Sequence, residues 1–422
     1  MSFPRYKLYK ESGVDWLREV PSGWNIKRVK HLFAIKKRIS GDEGYEVLSI
    51  TQQGIKVKDI ESGDGQLSMD YSKYQFVEIG DFAMNHMDLL TGYVDISSIF
   101  GVTSPDYRVF CVRDKEVCFD RYYLYLFQMG YRNKIFYAFG QGSSQLGRWR
   151  FPTEQFNSFE FPNPSIQEQK KIAAFLDRET AKIDALIAEQ QRLIALLKEK
   201  RQTIISQAVT KGLHPNAPRK DSGIEWLGEV PEHWDIRAVW LLFELGRGRV
   251  ISHGEIMDNA GEYPVYSSQT ENDGIMGRLD TYDFEGDYLT WTTDGAKAGT
   301  VFRRRGKFSC TNVCGTLKAK NDKVVLDYCV HALSISTASF VRQDINPKLM
   351  NNVMAKIRIP IPSPSEQHAI AAFLDRETAK IDILTAEAQR AITLLQERRT
   401  ALIAAAVTGE IDVRNLTERD VA

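Results

Sequence analysis

The clearest pattern of apolar and polar positions lies in two long segments that lack interior glycine and, apart from Pro364 at the start of the second, proline. One runs from Ser165 to Gly212 and the other from Ser363 to Gly409. Apolar residues recur in both at heptad spacing, with further leucines between them: Leu176, Ile183, Leu186, Leu193, Leu197 and Ile204, then Leu374, Ile381, Leu384, Leu395 and Leu402. The pattern predicts two helices of forty-odd residues, roughly 60–70 Å long at ~1.5 Å per residue.

Capping signals mark where both helices begin. Ser165 with Glu168, and Ser363 with Glu366, have the spacing of a capping box. Pro364 falls at the first helical position, where its missing N–H costs nothing. A long helix with one apolar stripe needs a partner for that stripe, and the simplest partner is the other copy. We therefore expect the two helices to lie antiparallel.

The chain repeats itself in two cycles of about 200 residues. Residues 10–33, KESGVDWLREVPSGWNIKRVKHLF, match residues 220–243, KDSGIEWLGEVPEHWDIRAVWLLF, at an offset of 210. The thirteen letters IAAFLDRETAKID at 172–184 return unchanged at 370–382, an offset of 198. The second cycle is therefore shorter, and the loss lies in its middle, where the two copies diverge.

The divergent middles have a mixed α/β pattern. Strand-like runs such as YEVLSIT, YRVFCV, YPVYSS and FSCTNVCGTLKA alternate with Gly, Asp and Asn turn signals. An apolar helix is predicted at 120–138 and again at 327–340. The predicted fold class is α/β (α+β): two similar mixed α/β domains, each followed by a long α-helix, with the helices pairing as an antiparallel coiled coil.

These patterns predict the domain boundaries. The segment KGLHPNAPRKDSG, rich in Pro and Gly, separates the two cycles. We expect an N-terminal domain at 1–163, a long helix at 164–212, a linker at 213–223, a second domain at 224–362, a second long helix at 363–411 and a tail at 412–422.

Composition and charge narrow the classes of function. With 43% hydrophobic and 26% charged residues the chain is typical of a soluble globular protein, and no apolar run approaches the roughly 18 residues of a membrane span. The N-terminus lacks the apolar core of a signal peptide, so we expect a cytoplasmic protein. Cys310 and Cys314 have no second Cys or His pair at zinc-site distance, so we expect buried thiols and no metal site.

Formal net charge is zero, so any DNA contact must come from local patches or from partner subunits. Charges within the repeated thirteen letters are the sharper observation, because apolar pairing alone does not require outward positions to match. Recent duplication would leave identical letters, and so would a surface that both copies present to identical partners. On the second interpretation the partner-binding residues are Asp177, Arg178, Lys182, Asp184, Asp375, Arg376, Lys380 and Asp382.

The repeated motifs resemble those of the specificity (S) subunit of type I restriction–modification systems, over nearly the whole chain. The resemblance rests on SGVDWLREVPSGW and SGIEWLGEVPEHW at the start of each half. It rests also on FPNPSIQEQKKIAAFLDRET and IPIPSPSEQHAIAAFLDRET at the end. It implies two target-recognition domains that each read one half of a split, asymmetric DNA site, and two conserved helices that fix the spacer.

The resemblance also implies partners and an absence of chemistry in this chain. Two methyltransferase (M) subunits are expected to dock on the conserved regions, and restriction (R) subunits to join through them. This chain would then be a non-catalytic subunit without a cofactor of its own, while S-adenosylmethionine, ATP and Mg²⁺ would belong to the partner subunits.

Side chains that read base edges or hold phosphates are sought in polar and Gly-rich loops. In the first domain the loop FGQGSSQLGRWR and the loop after Gly80-Asp81 supply the candidates: Gln141, Ser143, Ser144, Gln145, Arg148, Arg150, Asn85 and His86. In the second domain the candidates are Ser267, Ser268, Gln269, Thr270, Thr292, Thr293, Lys297, Gln343 and Asn346, with Arg303, Arg304 and Arg305 suited to phosphates.

Two other classes of function stay open at the level of sequence. A coiled-coil adaptor that binds only proteins would explain the helices and the neutral charge, but not two large, unlike α/β domains. A single-chain DNA modification enzyme would need a glycine-rich cofactor loop and an Asn/Asp-Pro-Pro-aromatic turn. The nearest match, NPSI at 163–166, has one proline and lies at a helix start.

Overall fold

A computed structural model describes residues 3–60, 68–142, 149–342 and 346–416. The chain forms two compact units, one from Met1–Gln190 with Arg390–Ala422 and the other from Gln191–Gln389. Each unit contains one α/β domain and takes residues from both long helices. The predicted boundaries treat each helix as a segment of its own, whereas here the two ends of one helix belong to different units.

The first unit is built on a four-stranded antiparallel sheet in the order β4-β11-β8-β9. Its elements are β1 (Tyr9–Val14), β2 (Leu17–Pro21), β3 (Asn25–Arg28), α1 (Val29–Leu32), β4 (Phe33–Lys36), β5 (Leu48–Thr51), β6 (Gly54–Val57), β7 (Gln75–Val77), β8 (Phe82–Met84), β9 (Val94–Ile96), β10 (Gly101–Thr103), β11 (Arg108–Val112), α2 (Asp120–Arg132), a 3-10 turn (Phe136–Phe139), α3 (Thr153–Ser158), β12 (Glu160–Asn163) and α4 (Ile166–Lys211).

An aromatic cluster between the sheet and α2 forms the core of this unit. The ring of Phe33 lies 5.3–5.4 Å from those of Phe82, Phe110 and Phe127. All four side chains are buried. Aromatic pairs in edge-to-face contact at such distances stabilise a core beyond the area they bury.

The second unit repeats this order in the first four strands of a six-stranded sheet, β16-β21-β19-β20-β17-β18. Its elements are β13 (Arg219–Asp221), β14 (Glu229–Pro231), β15 (Asp235–Ala238), α5 (Val239–Leu242), β16 (Phe243–Arg247), α6 (His253–Asp258), β17 (Ala260–Tyr266), a 3-10 turn (Glu271–Gly274), β18 (Ile275–Leu279), β19 (Phe284–Thr292), β20 (Val301–Cys310), β21 (Cys314–Ala319), α7 (Leu326–Ser336), a 3-10 turn (Thr337–Ser339), α8 (Asn351–Lys356), β22 (Arg358–Ile361) and α9 (Pro364–Val407).

The two units therefore share one topology despite their unlike middles. The predicted helices at 120–138 and 327–340 are present as α2 and α7, each shorter than predicted and followed by a 3-10 turn. β3 pairs with β12 and β15 with β22, which joins the start of each domain to its end. Strands β17 and β18 extend the second sheet beyond the shared four.

Both capping boxes are present, but only the second is reciprocal. Ser363 Oγ accepts from Glu366 N at 3.4 Å, and Glu366 Oε2 accepts from Ser363 N at 3.4 Å. In the first helix Ser165 Oγ accepts from Glu168 N at 3.3 Å. The Glu168 carboxylate turns instead to the hydroxyl of Tyr6, which donates to it at 2.6 Å.

Each long helix ends against a tryptophan of the repeated N-terminal motif. Gly409 has φ +84°, and a Cβ there would lie 2.4 Å from Pro21 Cδ and 3.0 Å from the ring of Trp24. Gly212 has φ +72°, and a Cβ there would lie 3.0 Å from the ring of Trp234. The left-handed backbone and the close rings both favour glycine. The motif with two tryptophans thus packs on a helix end.

The long helices pair antiparallel within each unit. In the first unit Asp184 of α4 pairs with Arg399 of α9, and Lys171, earlier in α4, donates to the carbonyl of Arg414, later in the chain. In the second unit Arg201 of α4 pairs with Asp382 of α9.

The heptad residues Leu176, Ile183, Leu197, Leu374, Ile381 and Leu402 are buried, as the apolar stripe predicts. The expectation is wrong for Leu186, Leu193 and Leu384, which are 41–47% exposed. A two-helix contact covers a narrow seam, so a leucine beside that seam stays in solvent.

Three further findings concern membrane spans, metal sites and cysteines. Over the described ranges, no helix is long and apolar enough to cross a membrane. Within the same ranges, no three His, Cys, Asp or Glu side chains are grouped so that they could hold a metal ion. Cys310 and Cys314 are buried as free thiols.

Candidate nucleic-acid interface

The two candidate loops of the first unit lie side by side. Phe151 N donates to the carbonyl of His86 at 2.8 Å, and Leu89 N donates to that of Trp149 at 2.9 Å. Gln141 and Arg150 close the base of the Gly-rich loop with reciprocal backbone hydrogen bonds of 2.9 and 3.0 Å. Four other predicted contacts lie outside the described residues: Ser143, Ser144, Gln145 and Arg148.

His86 is partly buried between these loops. Burial, followed by the nearby charges of Arg108 and Arg150, lowers the pKa of its imidazole to about 3. The ring is therefore neutral at physiological pH and can offer one donor and one acceptor, but no positive charge. Its role as a base reader remains a prediction.

Arg108 supports these loops from below and was not among the residues predicted from sequence. It is buried, and its Nη2 donates to the carbonyl of Phe151 at 3.0 Å and to Thr153 Oγ1 at 3.2 Å. The guanidinium also lies over the ring of Phe156, 4.4 Å from its centre. The available sequence signal is an arginine inside the strand-like run YRVFCV, where an inward position calls for an apolar residue.

In the second unit the loop at 292–299 packs against the segment around Asn346. Gly295 N donates to the carbonyl of Pro347 at 3.0 Å, and Leu349 N donates to that of Thr293 at 2.9 Å. Lys297 and Asn346 are exposed there, whereas Thr292 and Thr293 are buried and hydrogen-bonded within the loop. The two threonines therefore shape the loop, and their hydroxyls do not reach its surface. Gln343 lies outside the described residues.

The three consecutive arginines of β20 all pair with carboxylates. Arg303 Nε and Arg305 Nη2 each lie 3.0 Å from Asp327 Oδ1. Arg304 pairs with Asp273 at 2.8 Å and is 2% exposed. A DNA phosphate would have to displace Asp273 to reach Arg304, so this residue is poorly placed for the phosphate contact predicted from sequence. Arg305, with a side chain 67% exposed, is the best placed of the three.

The loop that carries Ser267, Ser268, Gln269 and Thr270 connects β17 to β18. Gln269 is exposed, and the other three side chains are partly exposed. This loop lies next to Arg304. Among the described residues, no hydrogen bond joins it to the loop at 292–299. The predicted residues of the second unit thus form two groups.

The charges of the repeated segment, predicted to bind partners, all contact side chains inside the chain, and seven of the eight form ion pairs; the eighth, Asp375, contacts His331, whose pKa is lowered by burial. Arg178 and Lys182 pair with Glu179, and Arg376 and Lys380 pair in the same way with Glu377. The four aspartates reach neighbouring elements: Asp177 to Arg121, Asp184 to Arg399, Asp375 to His331 and Asp382 to Arg201. All eight side chains are still at least one-third exposed, so a partner can contact them.

A polar cleft of about 410 Å³ opens beside the first copy of this segment. Arg121, Arg132 and Arg399 line it together with Asp177 and Asp184. Arg121 Nε donates to Asp177 Oδ1 at 2.7 Å. The cleft therefore carries both positive and negative side chains. Surfaces that bind polar side chains of another protein commonly have such mixed charge.

The Glu-Gln pair of the repeated motif has a structural explanation that the sequence pattern did not suggest. Gln169 is fully buried; its Oε1 accepts from Phe119 N at 2.8 Å, and its Nε2 donates to the carbonyls of Val117 and Pro164, each at 2.9 Å. Gln367 makes the equivalent bonds to Val325 N and to the carbonyls of Lys323 and Pro362. Each glutamine fastens the start of a long helix to the loop before α2 or α7.

Comparison with known proteins shows one family. The family described as "Type I restriction modification DNA specificity domain" matches residues 21–196 and 231–393. Among curated relatives, the putative type I specificity subunit S.MpnORF289P N-terminus of Mycoplasma pneumoniae is 47% identical over 133 residues, which are 31% of this chain and 71% of that protein. S.MpnORF615P of the same organism is 35% identical over 216 residues, covering 51% of this chain and 79% of that protein.

Solved structures show the same fold. A chain from a structure described as "Structural basis underlying complex assembly and conformational transition of the type I R-M system" is similar with a TM-score of 0.71 at 13% identity, over 93% of this chain and 99% of that one. The HsdS subunit from Thermoanaerobacter tengcongensis is similar with a TM-score of 0.51 at 14% identity, over 93% and 98%.

Proposed function

The chain belongs to the type I restriction–modification DNA specificity family, and we propose that it reads a split, asymmetric DNA site on behalf of a methyltransferase complex. The observation that carries this proposal is one sheet order used twice, β4-β11-β8-β9 and β16-β21-β19-β20, with unlike loops on the two copies. One scaffold with two different sets of polar loops suits two different half-sites at a fixed separation, as paired modules do in other DNA readers.

Each unit would read its half-site with its own loop pair. In the first unit the candidates are Asn85, His86, Gln141 and Arg150, which lie on two hydrogen-bonded loops. In the second unit they are Lys297, Asn346 and the loop of Ser267, Ser268, Gln269 and Thr270. Amide and hydroxyl side chains suit base edges, and Arg305 and Lys297 suit phosphates.

Two methyltransferase subunits would dock on the two copies of the repeated segment, and restriction subunits would join through them. The identical and partly exposed charges of the two copies support this, as does the cleft beside Asp177 and Asp184. Chemistry would then belong to the partners, with S-adenosylmethionine, ATP and Mg²⁺ bound there, while this chain supplies sequence recognition alone.

The experiment is to map methylated adenines in DNA from cells that express this chain with its methyltransferase subunit. The proposal predicts one motif made of two unlike specific parts separated by unspecified bases. A contiguous motif, or methylation that does not depend on this chain, would contradict it.

The salt dependence of DNA affinity distinguishes this proposal from the alternative of an adaptor that binds only proteins. A complex that reads DNA through phosphates and bases loses affinity steeply as salt rises, because bound counterions are released. A DNA affinity of the assembled complex that ignores salt, or is the same without this chain, would favour the adaptor.

A further inference from the structure

A buried arginine lies directly beneath one candidate reading loop. The guanidinium carbon of Arg304 is 3.6 Å from the ring centre of Tyr266 and 4.4 Å from that of Phe302. Its Nε donates to Thr290 Oγ1 at 3.2 Å, and its Nη1 donates to Asp273 Oδ2 at 2.8 Å. The side chain is 1% exposed. Arg304 thus points into the unit, and its carboxylate partner comes from the loop above.

The backbone of that loop is in an uncommon conformation. Asn272 and Asp273 have φ of 50° and 53°, and Gly274 has φ of 77°. Consecutive left-handed residues other than glycine carry strain and persist where the surroundings hold them. Gly274 also leaves little room for a side chain, since a Cβ would lie 3.1 Å from Arg304 Nη2 and from the carbonyl of Gln269.

The ion pair couples this strained turn to the interior. Burial lowers the pKa of Arg304, but the guanidinium stays charged at physiological pH, so the interior favours a conformation that keeps a carboxylate beside it. Asp273 supplies that carboxylate from a side chain that is itself 66% exposed. If the loop lifted away, the buried cation would lose its ion-pair partner.

This turn also fixes the conformation of the residues that precede it. Ser267 N donates to the carbonyl of Gly274 at 2.9 Å, and the Gln269 amide donates to the carbonyl of Ile275. Ser268, Gln269 and Thr270 are at least partly exposed around these bonds. Their hydroxyl and amide groups are of the kinds that recognise base edges.

We propose that Arg304 is a positioning residue: through Asp273 it holds the loop of Ser267, Ser268, Gln269 and Thr270 in the shape that discriminates bases of the second half-site. This rests on the proposed function. The role differs from the phosphate contact predicted from the sequence, because Arg304 acts on DNA through the loop and does not touch it.

The test is the Asp273→Asn variant in the full complex with its methyltransferase subunit. Asparagine keeps the shape and tolerates left-handed φ, but it removes the charge that holds Arg304. The matched control is Asp287→Asn, which makes the same change at an aspartate of similar exposure, 61%, that pairs with the neighbouring Arg303. The measurement is the methylation rate on duplexes that carry each single-base change of the site.

We expect D273N to lower discrimination at the second half-site about 5–10-fold, the order of one good base contact, and to leave the first half-site and overall DNA affinity unchanged. D287N should behave as the wild type at both half-sites. Arg304→Lys keeps the charge but loses the planar guanidinium that stacks on the rings. It should therefore retain more discrimination than Arg304→Met, but less than the wild type.

Wild-type discrimination in D273N at both half-sites would overturn the positioning role and leave the proposed function standing. Equal loss at both half-sites would also overturn it, since that result reports a general loosening of the complex. A wild-type complex that methylates no split motif would overturn the proposed function and this inference together.

Discussion

Arg399 donates two hydrogen bonds to Asp184, with its Nε and Nη2 at 2.9 and 3.3 Å from the two carboxylate oxygens. The residue pair is repeated in the second unit, where Arg201 Nε lies 3.4 Å from Asp382. Arg201 and Arg399 are themselves 198 positions apart, as are Asp184 and Asp382. Each repeat therefore gives an aspartate to one pair and an arginine to the other.

This arrangement changes the interpretation of the repeated thirteen letters. From sequence, outward charges appear free to differ, because apolar pairing does not involve them. In an antiparallel pair of equivalent helices, however, a change at Asp184 has to be compatible with Arg399, and a change at Asp382 with Arg201. Intrachain pairing thus accounts for part of the identity without an external partner, and docking of partners on these residues stays a prediction.

A double-mutant cycle measures the Arg399–Asp184 pair. Asp184→Asn, Arg399→Gln and the double variant should give a coupling energy of about 0.3–1 kcal/mol in urea unfolding, since Asp184 is half exposed. Arg398→Gln is the control, because Arg398 is exposed and has no ion pair among the described side chains. Coupling as large between Arg398 and Asp184 would show that the cycle reports helix charge in general.

The buried glutamines should matter more than the exposed charges. Gln169→Ala leaves the Phe119 N–H and the carbonyls of Val117 and Pro164 without their partner, which should cost about 3 kcal/mol of unfolding free energy. Gln167→Ala, at an exposed position two residues away, should cost less than about 0.5 kcal/mol. Hydrogen exchange at Phe119 should accelerate only in Q169A. Equal costs for the two variants would show that the buried hydrogen bonds of Gln169 do not stabilise the fold.

Protonation of His86 should destabilise the first unit in mild acid. Burial and the charges of Arg108 and Arg150 lower the pKa of its imidazole to about 3 in the folded state, below the usual value of about 6.5 in the unfolded chain. The unfolded chain therefore binds the proton first, and stability present above pH 6.5 is lost as pH falls toward 3.

Comparison with His86→Gln isolates this contribution from those of the carboxylates. Between pH 7 and pH 5 the wild type should lose about 2 kcal/mol more unfolding free energy than the variant. The quantity to measure is how the difference in unfolding free energy between the wild type and the variant changes with pH. A constant offset from altered packing does not affect this change. Parallel pH curves for the two proteins would contradict the buried, neutral imidazole.

Helix length should set the spacer between half-sites. Adding four residues near 186–197 in α4, and four at the equivalent 384–395 in α9, lengthens both helices by about 6 Å, close to two base-pair steps. The methylated motif should then keep both specific parts and gain about two unspecified bases. The control adds four residues at 213–218, outside both helices, and should leave the spacer as it was. Active methylation at an unchanged spacer would contradict the claim that helix length sets the spacer.

The scaffold was predictable from the sequence because its signals are local. A period close to 3.5, capping boxes and terminal glycines place α4 and α9 to within a few residues. The repeated motifs likewise indicate the family. Partial exposure of Leu186 and Leu193 was not predictable, since spacing fixes the helix face but not how wide a neighbour covers that face.

The site was harder to predict because it depends on contacts between distant residues. Arg304 has the same appearance in the sequence as Arg303 and Arg305, yet the alternation of β20 turns it inward. Thr292 and Thr293 lie in a polar stretch, but their loop folds over them. Gln169 and Gln367 gain meaning only through the backbone that each one holds. Polar letters in a loop indicate a surface, but not which of them reach it.

Exchange of one domain tests the central claim most directly. Residues 34–160 are replaced with the matching domain of another specificity subunit that has a known split motif, and methylated adenines are mapped with the same methyltransferase partner. The account predicts that one half of the motif changes to that of the donor, while the other half and the spacer stay the same. A change in both halves, or methylation at the original motif with neither half changed, would contradict it.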